Sequence, residues 1–224
     1  MSQPGSSELQ VLLGKIFVCS EDVSQKIAGR TRGESFPPRA IILSFGAPCE
    51  HIYIVLEGLA RARALSLDGR QAVLEDYGIG DIIGETALVG TCDSKHEVIA
   101  VELVEAAVML AHVMVALMST HASIALAISR RMIARLTEQN RRLAESSTLS
   151  APGRIHAEIL RLARAGSNLT ISPPPVLSQI AMHVQSTRET VSRTIGMLQK
   201  RGIIRRDEGG LMIVAEHRLE ELVY

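Results

Sequence analysis

The sequence predicts an α+β protein in three parts, and three observations support this. Glycines recur at Gly46, Gly58, Gly69 and Gly80, with gaps of twelve, eleven and eleven residues, between short apolar runs. The stretch from Ala122 to Leu143 contains neither Gly nor Pro. Two short helical patterns and two apolar runs then close the chain. We therefore predict an antiparallel β-roll, a long helix and a C-terminal helical module with a β-hairpin.

Four strand-like runs build the predicted β-roll: Ile41–Leu43, Ile52–Leu56, Leu59–Leu67 and Gln71–Leu74. The third run alternates apolar and polar residues, which is typical of a half-buried strand. Asp68-Gly69 separates the last two runs and is a strong hairpin signal. The acidic residues around these strands are expected beside β-turns, facing water; they are Glu57, Glu75 and Asp76.

The long helix carries a seam whose members follow alternating gaps of four and three residues: Ala122, Leu126, Ser129, Ile133, Leu136, Asn140 and Leu143. Such a seam predicts a coiled coil between two copies of the chain, and a seam Asn is best satisfied by its twin. The alternative is an amphipathic helix packed on its own domain. Five arginines are left for the other faces: Arg130, Arg131, Arg135, Arg141 and Arg142.

A polar hinge is predicted after the long helix, at Glu145–Ser150. Ser150 is placed to cap the next helix, with Pro152 in the first turn of that helix.

The C-terminal module predicts a helix-turn-helix. Val176–Val184 is a short apolar-periodic segment, and the second helix has a buried stripe at Val191, Ile195 and Leu198. Ala181 provides the small residue that two closely crossing helices need. Gln185 occupies the turn position where glycine is common, so the turn must accommodate a side chain.

A β-hairpin wing is predicted to follow the second helix. Gly202 is a candidate C-cap, and the apolar runs Ile203-Ile204 and Leu211–Val214 are separated by Asp207–Gly210. Helix, turn, second helix and wing together predict a winged helix-turn-helix.

The second helix is chemically equipped to read base pairs. Arg188, Glu189 and Arg193 fall on one side of it. An arginine fork can bond O6 and N7 of guanine, and a carboxylate can accept from the cytosine amino group. A solvated surface is the alternative interpretation, but the surrounding helix-turn-helix favours DNA reading. The candidate DNA-binding residues are Ser178, Ser186, Thr187, Arg188, Glu189 and Arg193.

The C-terminal module also differs from the rest of the chain in net charge. Residues 150–224 hold ten Lys/Arg and seven Asp/Glu, a net charge of +3, and residues 1–149 hold fourteen and seventeen, a net charge of −3. A basic module on an acidic protein suits a polyanionic partner. Aromatic residues make up only 3% and Trp is absent, which argues against stacking on single-stranded nucleic acid.

The chain is expected to be cytoplasmic. Met1–Ser7 is polar and lacks a secretory signal pattern, and the longest uncharged apolar run, Ala106–Met118, is too short to span a bilayer. The three cysteines, Cys19, Cys49 and Cys92, are odd in number and widely spaced, as in a reducing compartment. No catalytic order of Ser, His and Asp, no HExxH and no phosphate loop is present, so we expect no enzyme.

Over roughly residues 36–215, the sequence resembles the cyclic-AMP receptor protein/FNR family of bacterial transcription regulators. The segments that carry the resemblance are Ile52–Gly58, Asp68–Arg70, Gly80–Glu85, Gly153-Arg154 and Ser186–Arg193. The resemblance implies a cyclic-nucleotide-binding-like β-roll sensor domain at 1–120 with an N-terminal helical segment. It further implies a dimerisation helix and hinge at 121–149 and a winged helix-turn-helix domain at 150–224.

The same resemblance implies how such a protein acts. It would be a homodimer that binds double-stranded DNA at a palindrome with TGTGA-like half-sites. RNA polymerase would be a further partner if the protein activates transcription, and no membrane is involved.

The effector is less clearly specified by the resemblance. In relatives that bind cyclic AMP, a Gly-Glu pair starts a phosphate cassette and an Arg-Ser or Arg-Thr pair completes it. Gly84 and Glu85 match the first pair, but Lys95 and His96 stand at the second, and lysine cannot fork onto two oxygens. At the helix positions that would meet adenine stand the amides Gln139 and Asn140.

No cofactor is therefore assigned with certainty, although a cyclic nucleotide is a candidate. We favour a DNA-binding regulator that is independent of an effector or has an effector other than cyclic AMP. The alternatives are a cyclic-nucleotide-responsive regulator, or a cyclic-nucleotide-binding module that controls a protein partner; the latter leaves Ser186–Arg193 unexplained. The cysteines are too far apart for an iron–sulfur cluster.

Overall fold

A computed structural model describes residues 6–65, 71–90, 93–206 and 209–223. They belong to two compact units, Met1–Arg135 and Leu136–Tyr224. The α+β class, with an N-terminal sheet domain, a long helix and a C-terminal helix-turn-helix, is as predicted. The domain limits at residues 120 and 149 stay a prediction.

Two antiparallel sheets form the body of the first unit. Their strands are β1 (Arg32–Phe36), β2 (Ile41–Leu43), β3 (His51–Glu57), β4 (Ala60–Leu65), β5 (Gln71–Tyr77), β6 (Ile82–Ile83), β7 (Glu97–Ala100) and β8 (Val104–Leu110). One sheet has the order β1-β8-β3-β6 and the other β2-β7-β4-β5. Ile52 and Ile54 are fully buried on one face of β3 and Val55 on the other, as expected of a strand inside the domain.

Each of the four predicted runs overlaps a strand: Ile41–Leu43 matches β2 fully, whereas residues 66 and 67 of the third run lie outside the described residues. The run at Leu59 starts at Ala60, and the run at Gln71 continues to Tyr77. The predicted Asp68-Gly69 turn lies outside the described residues. Cys19 and Cys49 are free, and Cys92 also lies outside the described residues.

The expectation that Glu75 and Asp76 face water beside a turn was wrong, whereas Glu57 is exposed at the end of β3. Both of the first two acids lie inside β5, and each forms an ion pair with an arginine of another element. Local sequence pattern cannot show this, because the partners lie 60 and 15 residues away along the chain.

Four helices complete the first unit or lead out of it: α1 (Ser6–Phe17), α2 (Glu21–Ala28), α3 (Ala111–Thr120) and α4 (Ala122–Thr148). The apolar run Ala106–Met118 is divided between β8 and α3. No single helix in the described ranges is long and apolar enough to cross a membrane. The bent pair of α3 and α4 meets the length and composition criteria, but Met114, Leu117 and Ile124 of this pair are buried in the core.

The predicted hinge at Glu145–Ser150 is mostly helix, because α4 continues to Thr148. The hydroxyls of Ser146 and Ser147 donate to the carbonyl of Leu143, and that of Thr148 donates to Ala144. These bonds accommodate a hydroxyl-rich segment within a helix. The break therefore falls at Leu149 and Ser150 alone.

The second unit is a helical module with a small sheet. Its elements are α5 (Ala151–Ala165), β9 (Thr170–Ile171), α6 (Leu177–His183), α7 (Arg188–Lys200), β10 (Ile204–Arg206), β11 (Leu211–Ile213) and α8 (Glu216–Glu220). The Ser150 hydroxyl accepts from the Gly153 amide and caps α5, with Pro152 in its first turn, as predicted. The two strands of the wing pair as predicted, with Ile204 opposite Ile213, while residues 207 and 208 of the predicted turn lie outside the described residues. The third strand, β9, pairs with β11 and was not predicted.

Gly58 is a position where only glycine fits, and it yields a prediction of stability. Its φ is +86°, and a Cβ there would collide with the backbone carbonyl of Leu103. Gly58→Ala should therefore lower the melting temperature far more than Gly46→Ala, whose φ is also positive at +72° but whose Cβ would meet nothing within 4 Å. Thermal denaturation followed by circular dichroism measures both. Equal losses would mean that backbone strain, and not the collision, governs Gly58.

Candidate nucleic-acid interface and effector pocket

The packing of α7 decides which of its residues face outward. Val191, Ile195 and Leu198 are buried together with Thr194, and they hold α7 against α5 and α6. The 3.6-residue period then turns the opposite face to solvent. Arg188, Glu189, Ser192 and Arg193 are all exposed on that face.

A capped N-terminus presents the first turn of α7. The Thr187 hydroxyl accepts from the amide of Thr190 at 3.2 Å, which satisfies one of the free amides of the helix start. Hydrogen bonds from the Glu189 backbone amide and then from Thr187 lower the pKa of Glu189, so its carboxylate stays an acceptor. Ser178 is exposed on α6, and Ser186 is half-buried in the turn before α7.

Three of the predicted DNA-binding residues, Arg188, Glu189 and Arg193, line a concave surface. It is lined by Leu177, Arg188, Glu189, Ser192 and Arg193. Leu177 and Ser192 were not among the predicted site residues. Ser192 could have been found from helical spacing, because it lies four residues after Arg188.

The arginines of the second unit differ in what they bind. Arg161 and Arg164 on α5 form ion pairs with Glu158, Glu216 and Glu220. For Arg188 and Arg193, by contrast, the described part of the chain provides no ion-pair partner. Their guanidinium groups therefore remain available to an external acceptor.

Arg154 holds the turn between α6 and α7. It donates from Nε to the carbonyl of Val184 at 2.9 Å and from Nη2 to that of Gln185 at 3.4 Å. Its Nη1 donates to the carbonyl of Leu149 at 3.1 Å. Gln185 has a φ of 50°, so the turn does accommodate a side chain in the left-handed region. The sequence marked Arg154 only as part of a motif and did not reveal this role.

His183 has a structural contact. Its Nδ1 lies 3.4 Å from Glu158 Oε1, and Arg161 forks onto the same carboxylate. Burial alone would raise the pKa of Glu158, but the hydrogen bonds from His183 and Arg161 outweigh it and lower the pKa to about 2. The resulting ionic cluster joins α5 to α6.

The Gly-Glu pair of the predicted effector pocket lies at the end of β6. Gly84 has a φ of +85°, and a Cβ there would lie 2.7 Å from the carbonyl oxygen of His51. The chain can therefore turn there only with glycine. Glu85 follows as the first residue of a 3₁₀ helix, Glu85–Val89.

An arginine of α4 already occupies the space beside Glu85. Arg135 forks with Nε and Nη2 onto the carboxylate of Glu75, and its Nη2 lies 3.3 Å from Glu85 Oε1. Its Cζ lies 4.6 Å from the ring centroid of Tyr77, the geometry of a cation–π contact. Burial opposes the charge of Arg135, but its hydrogen bonds to Glu75 and the charges of the neighbouring groups raise its pKa. Burial also raises the pKa of Tyr77.

One continuous face of α4 carries Arg135. Ile124, Ile128, Arg131 and Arg135 are spaced by four, three and four residues, which places them on one stripe. The two isoleucines are buried in the core, while Arg131 reaches Asp81 at 3.6 Å. The stripe thus changes from apolar to basic where it meets the acidic side chains of the β-roll.

The other predicted pocket residues are Lys95, His96, Gln139 and Asn140, and they differ in their surroundings. His96 Nε2 lies 3.5 Å from the Tyr77 hydroxyl oxygen. Lys95 is exposed and lines a separate cavity of about 190 Å³ with Phe45, Arg63, Ala64 and Glu97. Gln139 and Asn140 are exposed on the part of α4 that belongs to the second compact unit. Glu75, Tyr77 and Arg135 were missed, because nothing in their local sequence marks them as neighbours.

Two family models match the chain. The model of a cyclic nucleotide-binding domain matches residues 33–121, and the model of a Crp-like helix-turn-helix domain matches residues 153–222. Together they cover the sheets of the first unit and nearly all of the second unit beyond α4.

Similar proteins include the CRP-like cAMP-activated global transcriptional regulator of Mycobacterium tuberculosis, which is 25% identical over 82% of this chain and 84% of that protein. The cyclic AMP receptor protein of Thermus thermophilus is 27% identical over 77% of this chain and 79% of that protein. A solved CRP/FNR-family transcriptional regulator, also from Thermus thermophilus, has a TM-score of 0.64 and 25% identity, covering 86% of this chain and 98% of that one. These relatives are transcription regulators. The relatives and the two matched domains together indicate a transcription regulator and not an enzyme.

The contacts of Arg154 predict a local loss of order on its removal. Arg154→Ala removes three hydrogen bonds to backbone carbonyls, so amides at residues 185–187 should exchange with solvent at least about ten-fold faster. Hydrogen exchange followed by mass spectrometry measures this. Arg164→Ala is the matched control on the same helix, and it should affect α8 and leave the turn protected. Unchanged exchange at 185–187 in Arg154→Ala would refute the role assigned to Arg154.

Proposed function

The chain belongs to the cyclic-AMP receptor protein/FNR family of transcription regulators, and within that family we propose that it binds a palindromic DNA site as a homodimer. The half-sites are TGTGA-like, as in the family it belongs to. The observation that carries the proposal is the exposure of Arg188 and Arg193 beside Glu189 on the capped start of α7.

The chemistry of these three side chains suits G·C pairs in the major groove. Each arginine offers a fork of donors to O6 and N7 of guanine, and the ionised Glu189 accepts from the amino group of cytosine. Ser186 and Thr187 directly precede Arg188, and Ser178 is exposed on α6, so their hydroxyls are candidates to bind phosphate oxygens and set the register. A module that only controlled a protein partner would give this surface no role, so DNA reading is favoured.

Pairing of two chains is supported by the uncovered seam of α4. Leu126, Ile133, Leu136 and Leu143 are 50%, 64%, 57% and 66% exposed in the single chain. Ala122, Ser129 and Asn140 continue the same four-and-three spacing and are also exposed. A stripe of large apolar side chains on a helix needs a partner, and the heptad spacing fits a second copy.

The dimer determines the form of the DNA site. A twofold axis relates two α7 helices, which would enter successive major grooves about 34 Å apart, and this requires a palindrome. We expect the protein to act in the cytoplasm and, if it activates transcription, to contact RNA polymerase.

Effector dependence is the second element of the proposal. The relatives from Mycobacterium tuberculosis and Thermus thermophilus are named for cyclic AMP. Here Lys95 and His96 stand where relatives that bind cyclic AMP have an Arg-Ser or Arg-Thr pair. We therefore propose DNA binding that does not require cyclic AMP; a cyclic-nucleotide-responsive regulator is the alternative.

The base-reading role predicts a loss of specificity on removal of either arginine. Arg188→Ala and Arg193→Ala should each weaken binding to the palindrome by about 1–3 kcal/mol, because a bidentate base contact is lost. Binding to random DNA should change much less. Fluorescence anisotropy with both DNAs at one salt concentration measures the ratio, with exposed Arg218→Ala on α8 as the control. Equal losses on both DNAs would mean that the arginines bind only phosphates.

The seam predicts the oligomeric state. Ile133→Glu with Leu136→Glu should give a monomer that no longer binds the palindrome, because four charges would face each other across the twofold axis. Ala134→Glu places a charge on α4 away from the seam and should leave the dimer intact. Sedimentation at micromolar concentration distinguishes these states. A wild-type protein that sediments as a monomer would refute the homodimer.

A further inference from the structure

We propose that Leu177 recognises a thymine in each half-site by packing against the 5-methyl group of that base. This contact adds the reading of a T·A pair by α6 to the reading of G·C pairs by α7. The inference rests on the proposed function, since it names a further base that the same surface recognises. It concerns only residues of the second compact unit.

Leu177 is the apolar member of the concave surface. The other described residues that line this surface, Arg188, Glu189, Ser192 and Arg193, all belong to α7 and are polar or charged. Leu177 is the first residue of α6, so it borders the surface from the side of the other helix. The concavity measures about 470 Å³, and a base methyl group fits there beside the longer side chains of α7.

The position of Leu177 is fixed from behind. Its side chain is half-buried and packs against the core cluster that contains Ile180 and Val184. The amides of Gln179 and Ile180 donate to the carbonyl of Val176 at 2.9 and 3.2 Å, which anchors the first turn of α6. A side chain that is held by packing on one side and open on the other needs little further ordering when it makes a contact.

The edge of a core can also leave a leucine half-exposed without any partner. The surroundings of Leu177 distinguish it from that case. Val176 and Met182 are exposed apolar residues of the same segment, but they do not line the concave surface. Leu177 alone among the three turns its open side toward the residues that are proposed to read bases.

Thymine offers the group that an aliphatic side chain can recognise. Its 5-methyl group is the apolar group that a base pair presents in the major groove, whereas the other base edges present hydrogen-bond donors and acceptors. Packing leucine against the methyl group removes apolar surface from water, which is favourable in proportion to the area. Packing it against a polar edge would remove water from that edge without supplying a hydrogen bond, which is unfavourable.

The two helices thereby divide the recognition of the half-site. Arg188 and Arg193 offer forks of donors to guanine, while Leu177 has no polar group for guanine or phosphate. Arg154 bonds the carbonyls of the turn between α6 and α7, so the spacing of the two helices is fixed. The thymine must therefore lie at a constant step from the guanine, and a TGTGA-like half-site contains such neighbouring thymines.

The test removes the methyl group and the leucine side chain separately and together. Palindromic DNA is made with uracil in place of one thymine at a time, in both half-sites, because uracil lacks only the 5-methyl group. Fluorescence anisotropy at one salt concentration gives the affinities of wild type, Leu177→Ala and Val176→Ala. Val176→Ala is the matched control, since Val176 is the exposed neighbour that does not line the surface.

We expect uracil at one thymine position to weaken binding of wild type and of Val176→Ala by about ten-fold, since each of the two buried methyl groups contributes about three- to four-fold. Leu177→Ala should lose no more than about two-fold on the same DNA, because the partner of the methyl group is gone. Equal losses in wild type and Leu177→Ala at every position would overturn the proposal. So would a wild type that loses no affinity at any position.

Folding of each variant is checked by thermal melting, because Leu177 also packs against the core. If Leu177→Ala does not fold, Leu177→Val serves in its place, since valine keeps an apolar contact but is one methylene shorter. It should lose at least about half of the wild-type discrimination between thymine and uracil. A folded Leu177→Val with undiminished discrimination would refute the methyl contact.

The preference of wild type for unmodified palindrome over random DNA is measured in the same series. If that preference is present but no thymine methyl depends on Leu177, the DNA function stands and the role of Leu177 fails. If wild type shows no preference for the palindrome, the proposed DNA site fails, and the reading of thymine by Leu177 fails with it.

Discussion

The distribution of residue types around α4 is the constraint on which the rest of the molecule depends. One stripe of this helix, from Ile124 through Ile128 to Arg135, must match a β-roll that is apolar at one end and acidic at the other. A second stripe, from Leu126 to Leu143, remains uncovered in the single chain. Both demands are met by one helix because its 3.6-residue period separates the two sets of side chains. A shift of α4 along its axis would break the Arg135 fork and misplace the seam together.

The ion pairs of the β-roll give this domain its specificity more than its stability. Buried charges lose hydration, so a pair gains little net free energy, but a single unpaired member is costly. Arg61 with Asp76, Arg63 with Glu97 and Arg135 with Glu75 therefore restrict how the strands and α4 can be arranged.

The second unit uses backbone hydrogen bonds to make its reading surface rigid. Thr187 caps α7, Arg154 bonds the carbonyls of the preceding turn, and the Gly202 and Ile203 amides close the end of α7 on Gln199 and Leu198. Carbonyls at helix ends lack partners inside the helix, and a cation placed there is favoured by the helix dipole. The outward-facing side chains of α7 therefore lie on a helix that is fixed at both ends.

The sequence by itself determined the elements that repeat with a period. The apolar run of β3 and the buried stripe of α7 record burial along one element, so they can be read locally. Only the tertiary structure decided what Glu75, Tyr77 and Arg135 do, because Arg135 lies 60 residues from Glu75 and the contact leaves no periodic trace. The same reason applies to Arg154, whose partners are carbonyl groups that every residue has. It applies also to β9, whose two residues acquire strand geometry only from pairing with β11. The sequence specifies the chemistry of each side chain, but the contacts between side chains depend on packing between distant segments.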